Sequence, residues 1–422
     1  MVTSTLRKRA LLALVILLIT PAYGSGQAGE PGSELRVWLV TAGPGDAVWE
    51  RYGHNALRVL DTRTGYDVSF NWGIFSFGQP VQFIIRFLQG RMVYTMAPFD
   101  TGAMLSAYAR DGRAVVQQEL DLTPSEKLEL LMLAETNARP ENRDYVYQYF
   151  LDNCSTRIRD LLDRIIGGQL TEAFGSMETE TSYRWHTQRL TQVDPFIYAG
   201  MDALLGGPTD QELTVWEEMF LPLTLRDRVR DVTVRRPDGS QRALVLNEES
   251  TDPGTGPSEE AAPPAWLISF LALGLLSGAT FSSLSLTRVR DSRLWRRVVL
   301  GMACAWSGLF GLLGMILVAL LFTDHLFAWR NENLFLANPL LVASALALPL
   351  SYADPSWQAR ARWISTTCAG VALLGLMWHI TPWSVHQNGS FIALLLPAHL
   401  GLAWGLRATP QSVPSDPAAL RD

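Results

Sequence analysis

Hydrophobic and polar residues are distributed very unevenly along this chain of 422 residues. A short apolar run near the start is followed by a long mixed segment, and five apolar runs occupy most of the chain after residue 264. The mixed segment contains stretches of alternating apolar and polar residues, which are typical of strands, and amphipathic stretches with helical spacing. The pattern therefore predicts a water-soluble domain followed by a membrane domain.

The soluble segment shows a regular succession of elements. We predict strands over 34–41, 54–61, 66–72, 91–98, 113–122 and 145–150, and helices over 80–90, 125–138 and 152–166. The remainder to about residue 219 is predicted to be helical, and a β-hairpin is predicted around Pro237-Asp238-Gly239. Strands and helices in this order indicate an α+β domain.

The five C-terminal runs cover residues 266–286, 298–322, 334–350, 363–381 and 391–406. Three of them approach or exceed the roughly 20 residues that a helix needs to cross a bilayer. Arg residues are concentrated between the first and second runs, between the third and fourth, and after the fifth. Because basic loops remain in the cytoplasm, the segment before the first run is predicted to be exported.

Charge supports the same division of the chain. Residues 1–24 contain three basic and no acidic residues, with an apolar run and small residues following, as in a signal peptide. Residues 25–264 contain 22 basic and 35 acidic residues, a balance that argues against nucleic acid as a partner. We predict a signal peptide (1–24), an exported catalytic domain (25–247), a flexible tether (248–264), a five-helix transmembrane domain (265–407) and a cytoplasmic tail (408–422).

The exported segment contains a single cysteine, Cys154, although structural cysteines of exported proteins usually come in pairs. Cys154 follows a predicted strand and opens a predicted helix, with Asp152 or Asn153 as the candidate cap. The free amides and positive end of a helix favour a thiolate and can stabilise an oxyanion. Cys154 is therefore a candidate nucleophile; the alternative is a buried small hydrophobic residue.

A thiolate nucleophile needs a base, and the exported segment offers His54 and His186. His54 opens a predicted strand after a glycine, whereas His186 lies in a polar, Arg-flanked helix and is expected at the surface or facing the tether. We predict that His54 is the base and that Asn71, on the next strand, orients it. The alternatives for this third position are Ser69, Asn55 and Asp152, and the candidates for supporting the oxyanion are Asn153, Asp152 and Asn55.

Other catalytic classes are disfavoured. The exported segment has no H-E-x-x-H or C-x-x-C motif and no His pair at ligand spacing, so no metal is expected. The G-x-S-x-G motif of serine hydrolases is also missing. The two outer loops of the membrane domain contain polar residues that are either ordinary interfacial residues or a substrate-binding floor beneath the exported domain. These residues are His325, Arg330, Asn331, Asn333, His386 and Asn388.

Three stretches of the chain resemble the periplasmic domain of the bacterial Lnb family of lipoprotein N-acyltransferases. They are LVTAGPGDAVWERYGHNALRV, FNWGIFSF and YFLDNCSTRIRDLL. That family joins the domain to five membrane helices, and its His and Cys map onto His54 and Cys154. The order of His before Cys also resembles circularly permuted papain-like folds such as lecithin retinol acyltransferase. The resemblance therefore implies an exported domain of this fold followed by an all-α membrane domain of five transmembrane helices.

The resemblance also implies a reaction. An acyl chain passes from a membrane phospholipid through a Cys154 thioester to the α-amine of a diacylglyceryl-cysteine lipoprotein, at the bacterial inner membrane and without a cofactor. Two alternatives remain open: a membrane-tethered papain-like hydrolase, either a phospholipase or a cell-wall amidase or peptidase, and a non-catalytic membrane scaffold. Transport is disfavoured because the membrane runs contain almost no ionisable residues.

Overall fold

The computed structural model of the protein describes residues 29–75, 80–236, 238–251 and 256–407. The predicted signal peptide (1–24) and cytoplasmic tail (408–422) lie outside the described residues. The described chain forms a mixed α/β N-terminal domain and a helical C-terminal region. This division agrees with the hydrophobic pattern of the sequence.

A seven-stranded antiparallel sheet forms the centre of the N-terminal domain, in the order β11-β5-β1-β2-β3-β4-β6. Two small sheets, β7 with β8 and β9 with β10, lie outside it. The strands are β1 (Leu35–Ala42), β2 (His54–Asp61), β3 (Tyr66–Ile74), β4 (Val93–Asp100), β5 (Val115–Leu120), β6 (Asp144–Val146), β7 (Glu178–Ser182), β8 (Glu212–Thr214), β9 (Thr233–Arg235), β10 (Gln241–Ala243) and β11 (Val245–Ser250).

Nine helices accompany these strands within the described residues, and six more follow in the C-terminal region. The first nine are α1 (Pro80–Gln89), α2 (Thr101–Arg110), α3 (Pro124–Asn137), α4 (Cys154–Ile165), α5 (Gln169–Phe174), α6 (Tyr183–Thr191), α7 (Pro195–Leu204), α8 (Val215–Glu218) and α9 (Pro222–Asp231). The remaining six are α10 (Leu267–Ser282), α11 (Thr287–Asp291), α12 (Arg293–Leu320), α13 (Leu340–Ala353), α14 (Ser356–His379) and α15 (Gly389–Arg407).

Helices cover both faces of the central sheet. On one face α3, α4 and α9 pack against the apolar side chains of β1, β2 and β3, and Ile158 and Leu162 of α4 are fully buried there. On the other face α2 packs through Met104 against Trp38 and Val40. Because strand side chains alternate between the two faces, burial on both sides explains why β1 is almost entirely apolar.

Two local expectations differ from the structure. Helix α2 was not predicted; its N-terminus is fixed by the Asp100 carboxylate, which accepts a hydrogen bond of 2.8 Å from the Ala103 amide. The strand expected over 145–150 pairs only as far as Val146, because Phe150 turns into an aromatic cluster with Tyr183 and Phe220.

The segment expected to be a flexible tether is partly ordered. Strand β11 extends through 248–250 and pairs with β5, so the chain leaves the N-terminal domain as an edge strand of its main sheet. Further along, Arg189 of α6 pairs with the Glu259 carboxylate at 2.8 Å, and Gln192 donates to the Ala262 carbonyl at 2.9 Å. These contacts hold the segment against α6.

The C-terminal region contains five long helices, α10, α12, α13, α14 and α15. Within the described residues, four stretches are long and apolar enough to cross a membrane, namely Leu267–Ser285, Arg293–Leu320, Glu332–Ala353 and Gly389–Arg407. The helix outside this set, α14, is 24 residues long but carries Arg360 and Arg362 in its first turns. Helices α10 and α15 approach closely, since a Cβ at Gly401 would lie 2.1 Å from the Gly278 carbonyl oxygen.

The two parts of the molecule are joined by hydrogen bonds between α7 and the loop after α12. Asn331 donates to the Ala203 carbonyl at 2.9 Å, and the Gly206 amide donates to the Phe327 carbonyl at 2.7 Å. Behind this junction, Arg184 is fully buried and donates to Asp202 at 2.7 Å, to Asp210 at 2.6 Å and to the carbonyl of Leu205 at 2.8 Å. This guanidinium therefore fixes the backbone that contacts the membrane region.

We expect the substitution Arg184→Met to lower the free energy of unfolding by about 3–5 kcal/mol, because it leaves two buried carboxylates without their partner. Thermal unfolding in detergent measures the change. The matched control is Arg63→Met, since Arg63 is 74% exposed and lies 3.8 Å from Glu34. Arg63→Met should lower the free energy of unfolding by no more than about 1 kcal/mol. Equal effects of the two substitutions would contradict the expectation.

Candidate functional site

The candidate base and its partner lie on adjacent strands. His54 is the first residue of β2, and Asn71 of β3 pairs with Ala56, two residues further along β2. Residues two apart on a strand share a face, so the side chains of His54 and Asn71 project to the same side of the sheet. His54 Nε2 lies 3.1 Å from Asn71 Oδ1. The antiparallel register therefore brings this predicted pair together.

The hydrogen bonds of Asn71 determine the tautomer of His54. Asn71 Nδ2 donates to the Ser69 carbonyl at 2.9 Å, which leaves Oδ1 as the acceptor that faces His54. An acceptor at this position requires a proton on Nε2 of the imidazole. His54 Nδ1 is then the ring nitrogen available to exchange a proton with a second group.

Cys154 is the first residue of α4, and its neighbour Asn153 caps the helix. Asn153 Oδ1 accepts hydrogen bonds from the amides of Ser155 at 2.8 Å and Thr156 at 2.9 Å. Within the described residues, the Cys154 amide has no hydrogen-bond acceptor of its own. The thiol, which is 9% exposed, therefore lies beside a free N–H at the positive end of a helix.

His54 and Cys154 interact directly, and each shifts the pKa of the other. Burial alone raises the pKa of the Cys154 thiol, but His54 and hydrogen bonds from the Asn55 and Ser155 amides lower it below its ordinary value. Burial alone lowers the pKa of His54, but Cys154 and the hydrogen bond that His54 donates to Asn71 raise it above its ordinary value. The two opposite shifts favour a thiolate paired with an imidazolium.

The residues next to the pair connect the two elements that carry it. Asn55 follows His54, and Ser155 follows Cys154; Asn55 Nδ2 donates to Ser155 Oγ at 3.2 Å. Ser155 Oγ in turn donates to the Met219 carbonyl at 2.7 Å. Both side chains are fully buried. The Asn55 side chain therefore fastens the start of β2 to the start of α4, and its backbone amide is directed at the sulfur.

The other candidates for the third position have different partners. Asp152 forms an ion pair with Arg157, with Oδ2 and Nη2 2.6 Å apart. Ser69 Oγ lies 2.9 Å from Thr101 Oγ1, on the side of β3 that α2 covers. In this structure Asn71 is thus the candidate whose side chain contacts the His54 ring.

Most of the outer-loop candidates are buried in the junction between the two parts of the molecule. Asn331 and Asn333 donate to carbonyls of α7, and Asn388 donates to Asn333 Oδ1 at 3.0 Å. Burial lowers the pKa of His386 to about 2, so this imidazole is neutral at physiological pH. The expectation that these four side chains contact a substrate is not supported, because docking of the domain encloses them.

The remaining two outer-loop candidates lie elsewhere. Arg330 is exposed, and its backbone has a positive φ of 52°. His325 connects three segments: its Nδ1 lies 2.8 Å from the Tyr149 hydroxyl, and its Nε2 lies 2.7 Å from the Phe87 carbonyl oxygen. His325 is therefore the outer-loop histidine that reaches the N-terminal domain near α1.

His186 is buried beside the segment that was expected to be the tether. It is 3% exposed and lies 3.0 Å from both Glu218 Oε1 and Thr181 Oγ1. Burial lowers its pKa despite the nearby carboxylate. Of its two expected positions, the surface is wrong, whereas a position facing the tether agrees with the structure, because Arg189 donates to His186 Nδ1 at 3.0 Å and also to Glu259 of that segment.

Sequence reasoning did not identify the residues that surround the thiol. Gly73 has a φ of +87°, and a Cβ built on it would lie 3.8 Å from Cys154 Cβ and 3.6 Å from the Tyr147 ring. Tyr147 stacks on Tyr94 with ring centroids 4.1 Å apart. The alternating tyrosines of YVYQY predict a strand, but this pattern does not indicate that one of them lies beside the thiol.

We expect alkylation of Cys154 by iodoacetamide to persist below the pH at which an ordinary thiol stops reacting, since its pKa is lowered. His54→Ala removes the imidazole, which lowers this pKa most, and leaves the burial that raises it, so the midpoint of the pH–rate profile should move upward. Each unit of upward shift lowers the thiolate fraction below the midpoint about tenfold. Mass spectrometry of the Cys154 peptide measures the rate. His186→Ala is the matched control, and an unmoved midpoint in His54→Ala would contradict the pairing.

Comparison with known protein families agrees with the resemblance noted from the sequence. Residues 30–189 match the Lnb N-terminal periplasmic domain, and residues 267–407 match the Lnb transmembrane domain. No curated protein and no solved structure matches the chain. The N-terminal domain is thus periplasmic, and the C-terminal region crosses the membrane several times. With both of its domains matched in order, the chain belongs to the Lnb family.

Proposed function

We propose that the protein is a lipoprotein N-acyltransferase that uses Cys154 as its nucleophile. The observation that carries this proposal is the coupled pair of His54 and Cys154, in which a strand histidine meets a cysteine at the start of a helix. Membership of the Lnb family supplies the reaction class. The acyl donor is a membrane phospholipid, and the acceptor is the α-amine of a diacylglyceryl-cysteine lipoprotein.

In the first half-reaction the Cys154 thiolate attacks the carbonyl carbon of a phospholipid ester. The free amide of Cys154 is positioned at the helix start to stabilise the oxyanion that forms. When the intermediate collapses, the C–O bond breaks, and the His54 imidazolium donates its proton to the departing alkoxide. The products are an acyl thioester on Cys154 and a lysophospholipid, and His54 is left neutral.

In the second half-reaction the neutral α-amine of the lipoprotein attacks the thioester carbon. His54 accepts a proton from the attacking nitrogen, and the C–S bond breaks to release the Cys154 thiolate. Asn71 keeps the same nitrogen of His54 directed at the reacting atoms throughout. The imidazolium and thiolate are thereby restored, and the amide product is more stable than the thioester, so no nucleotide or metal is required.

The architecture supports a circularly permuted papain-like fold for the periplasmic domain. The histidine strand β2 precedes the cysteine helix α4 in the chain, and α4 packs against the sheet that contains β2. We further propose that α14 is the fifth membrane span. It lies between α13 and α15, and its 24 residues fall within the 19 to 28 residues of the four stretches that are long and apolar enough to cross a membrane. These two assignments would place the catalytic pair at the periplasmic surface of the inner membrane.

Hydrolysis is the main competing outcome. A phospholipase would share the thioester but pass the acyl group to water, and a cell-wall amidase or peptidase would cleave a peptide bond. The low exposure of Cys154 favours an acceptor that reaches the thiol from the lipid phase. A non-catalytic scaffold would form no thioester at all.

The decisive experiment uses the full-length protein in phospholipid vesicles. We expect mass spectrometry to detect an acyl adduct on the Cys154 peptide that hydroxylamine removes. Addition of a diacylated lipopeptide with a free α-amine should then discharge the adduct and yield N-acylated lipopeptide. Release of free fatty acid in place of that product would indicate a lipase, and absence of any adduct would contradict the proposal.

Cys154→Ala should reduce lipopeptide N-acylation by more than about 10³-fold, as removal of a covalent nucleophile does in other acyl-transfer enzymes. Cys304→Ala is the matched control, since Cys304 lies in α12 and donates to the Ala345 carbonyl. The control should retain both the adduct and the transfer activity. Normal N-acylation by Cys154→Ala would show that the reaction does not pass through this residue.

A further inference from the structure

Helix α1 presents an apolar face that no other described part of the chain covers. Val81, Ile84, Ile85 and Leu88 follow the i, i+3, i+4, i+7 spacing of one helical face, and they are 73%, 55%, 48% and 60% exposed. The polar residues of this helix, Gln82, Arg86 and Gln89, lie along one flank of this face. An exposed apolar face of this kind on a soluble domain marks a contact with a partner or a membrane.

The location of α1 identifies the membrane as what covers this face. The Gln89 carbonyl accepts a hydrogen bond of 2.9 Å from the amide of Asp324, four residues beyond the outer end of α12. Arg91 pairs with the Asp324 carboxylate at 2.5 Å, and His325 contacts the Phe87 carbonyl. The C-terminal end of α1 is therefore held at the periplasmic end of a membrane span. An amphipathic helix held at this level lies in the plane of the lipid headgroups.

A cavity of about 120 Å³ lies beside the C-terminal end of α1. This volume is smaller than the about 300–1,000 Å³ of common small-molecule sites, so the cavity has room for part of an apolar chain and not for a whole lipid. The lining is largely aromatic and comes from both parts of the molecule: Phe87, Met92, Tyr94, Tyr147, His325 and Phe327. The cavity is thus apolar, and it opens at the junction between the periplasmic domain and the membrane region.

One residue of the cavity lining lies near the proposed nucleophile. Tyr147 lines the cavity, and a Cβ built at Gly73 would lie 3.6 Å from the Tyr147 ring and 3.8 Å from Cys154 Cβ. The Tyr147 pKa is raised well above its usual value by burial and then by the nearby Cys154, so its hydroxyl stays neutral beside the thiolate. An apolar chain in the cavity would therefore contact Tyr147, the lining residue that lies near Cys154.

We propose that α1 lies in the outer leaflet of the membrane and that the phospholipid acyl chain to be transferred reaches Cys154 through this cavity. The insertion of α1 stands on the structure alone, whereas the route of the acyl chain rests on the proposed acyltransferase function. Lateral access explains how a thiol that is 9% exposed receives a water-insoluble donor. The donor stays among lipid chains until its ester reaches the sulfur.

Insertion of α1 is tested by photo-crosslinking of the full-length protein in membranes. A p-benzoyl-phenylalanine in place of Leu88 should form phospholipid adducts on irradiation, detected by mass spectrometry. Met132 of α3 is the matched control, because it is 59% exposed and Leu88 is 60% exposed. The probe at Met132 should give no lipid adduct. Equal lipid labelling at the two positions, or none at Leu88, would overturn the insertion of α1.

The route of the acyl chain is tested by filling the cavity. Met92→Trp should lower the ratio of Cys154 acylation by long-chain to short-chain phospholipids at least about tenfold, since one methylene of misfit in an apolar pocket costs about that much. Leu326→Trp, which narrows the same cavity from the membrane loop, is the second variant if Met92→Trp does not fold. Met132→Trp should leave the ratio unchanged.

Failure of the proposed function and failure of the proposed acyl-chain route would give different results. If the unaltered protein forms no adduct on Cys154, the proposed function is wrong, and the crosslinking result still decides the position of α1. If the unaltered protein is acylated and both cavity variants keep the original chain-length ratio, the function stands and the route through the cavity is wrong.

Discussion

The interaction between the Cys154 thiol and the His54 imidazole depends on how two layers of the periplasmic domain pack together. His54 begins a strand, Cys154 begins a helix, and the two belong to opposite layers of the fold. Their meeting depends on the buried hydrogen bond from Asn55 to Ser155 and on the turn at Gly73 near the end of β3, whose φ of +87° favours glycine. The rest of the sheet and its helices hold the start of β2 and the start of α4 next to each other.

The junction with the membrane region also depends on a small set of buried polar contacts. The Ala203 carbonyl at the end of α7 accepts hydrogen bonds from Asn331 and Asn333, and the neighbouring Leu205 carbonyl accepts from both Asn331 and the buried guanidinium of Arg184. A buried charge of this kind tolerates few alternative arrangements, because any other placement leaves it unpaired. The orientation of the periplasmic domain over the bilayer is thus set by polar groups that are inaccessible to water.

Much of the fold and part of the candidate site could be predicted from residues that lie close together in the sequence. The strand at His54, the helix start at Cys154 and the five apolar runs each depend on residues close together in the chain, and the structure has an element at each position. The partners of Asn331 and His386 could not be predicted, because they come from segments more than a hundred residues away or from another loop. Helix α2 was missed because its burial depends on the sheet above it more than on its own pattern.

The last strand of the periplasmic domain limits how far Cys154 can move from the membrane. Strand β11 belongs to the main sheet, and Arg189 forms an ion pair with Glu259 further along. The chain is therefore attached to the domain at two points before α10 begins. The Cys154 sulfur therefore stays close to the membrane that α10 enters. In the proposed reaction, donor and acceptor would both have to arrive by diffusion in that membrane, and a lipid or lipoprotein in a facing membrane would be out of reach.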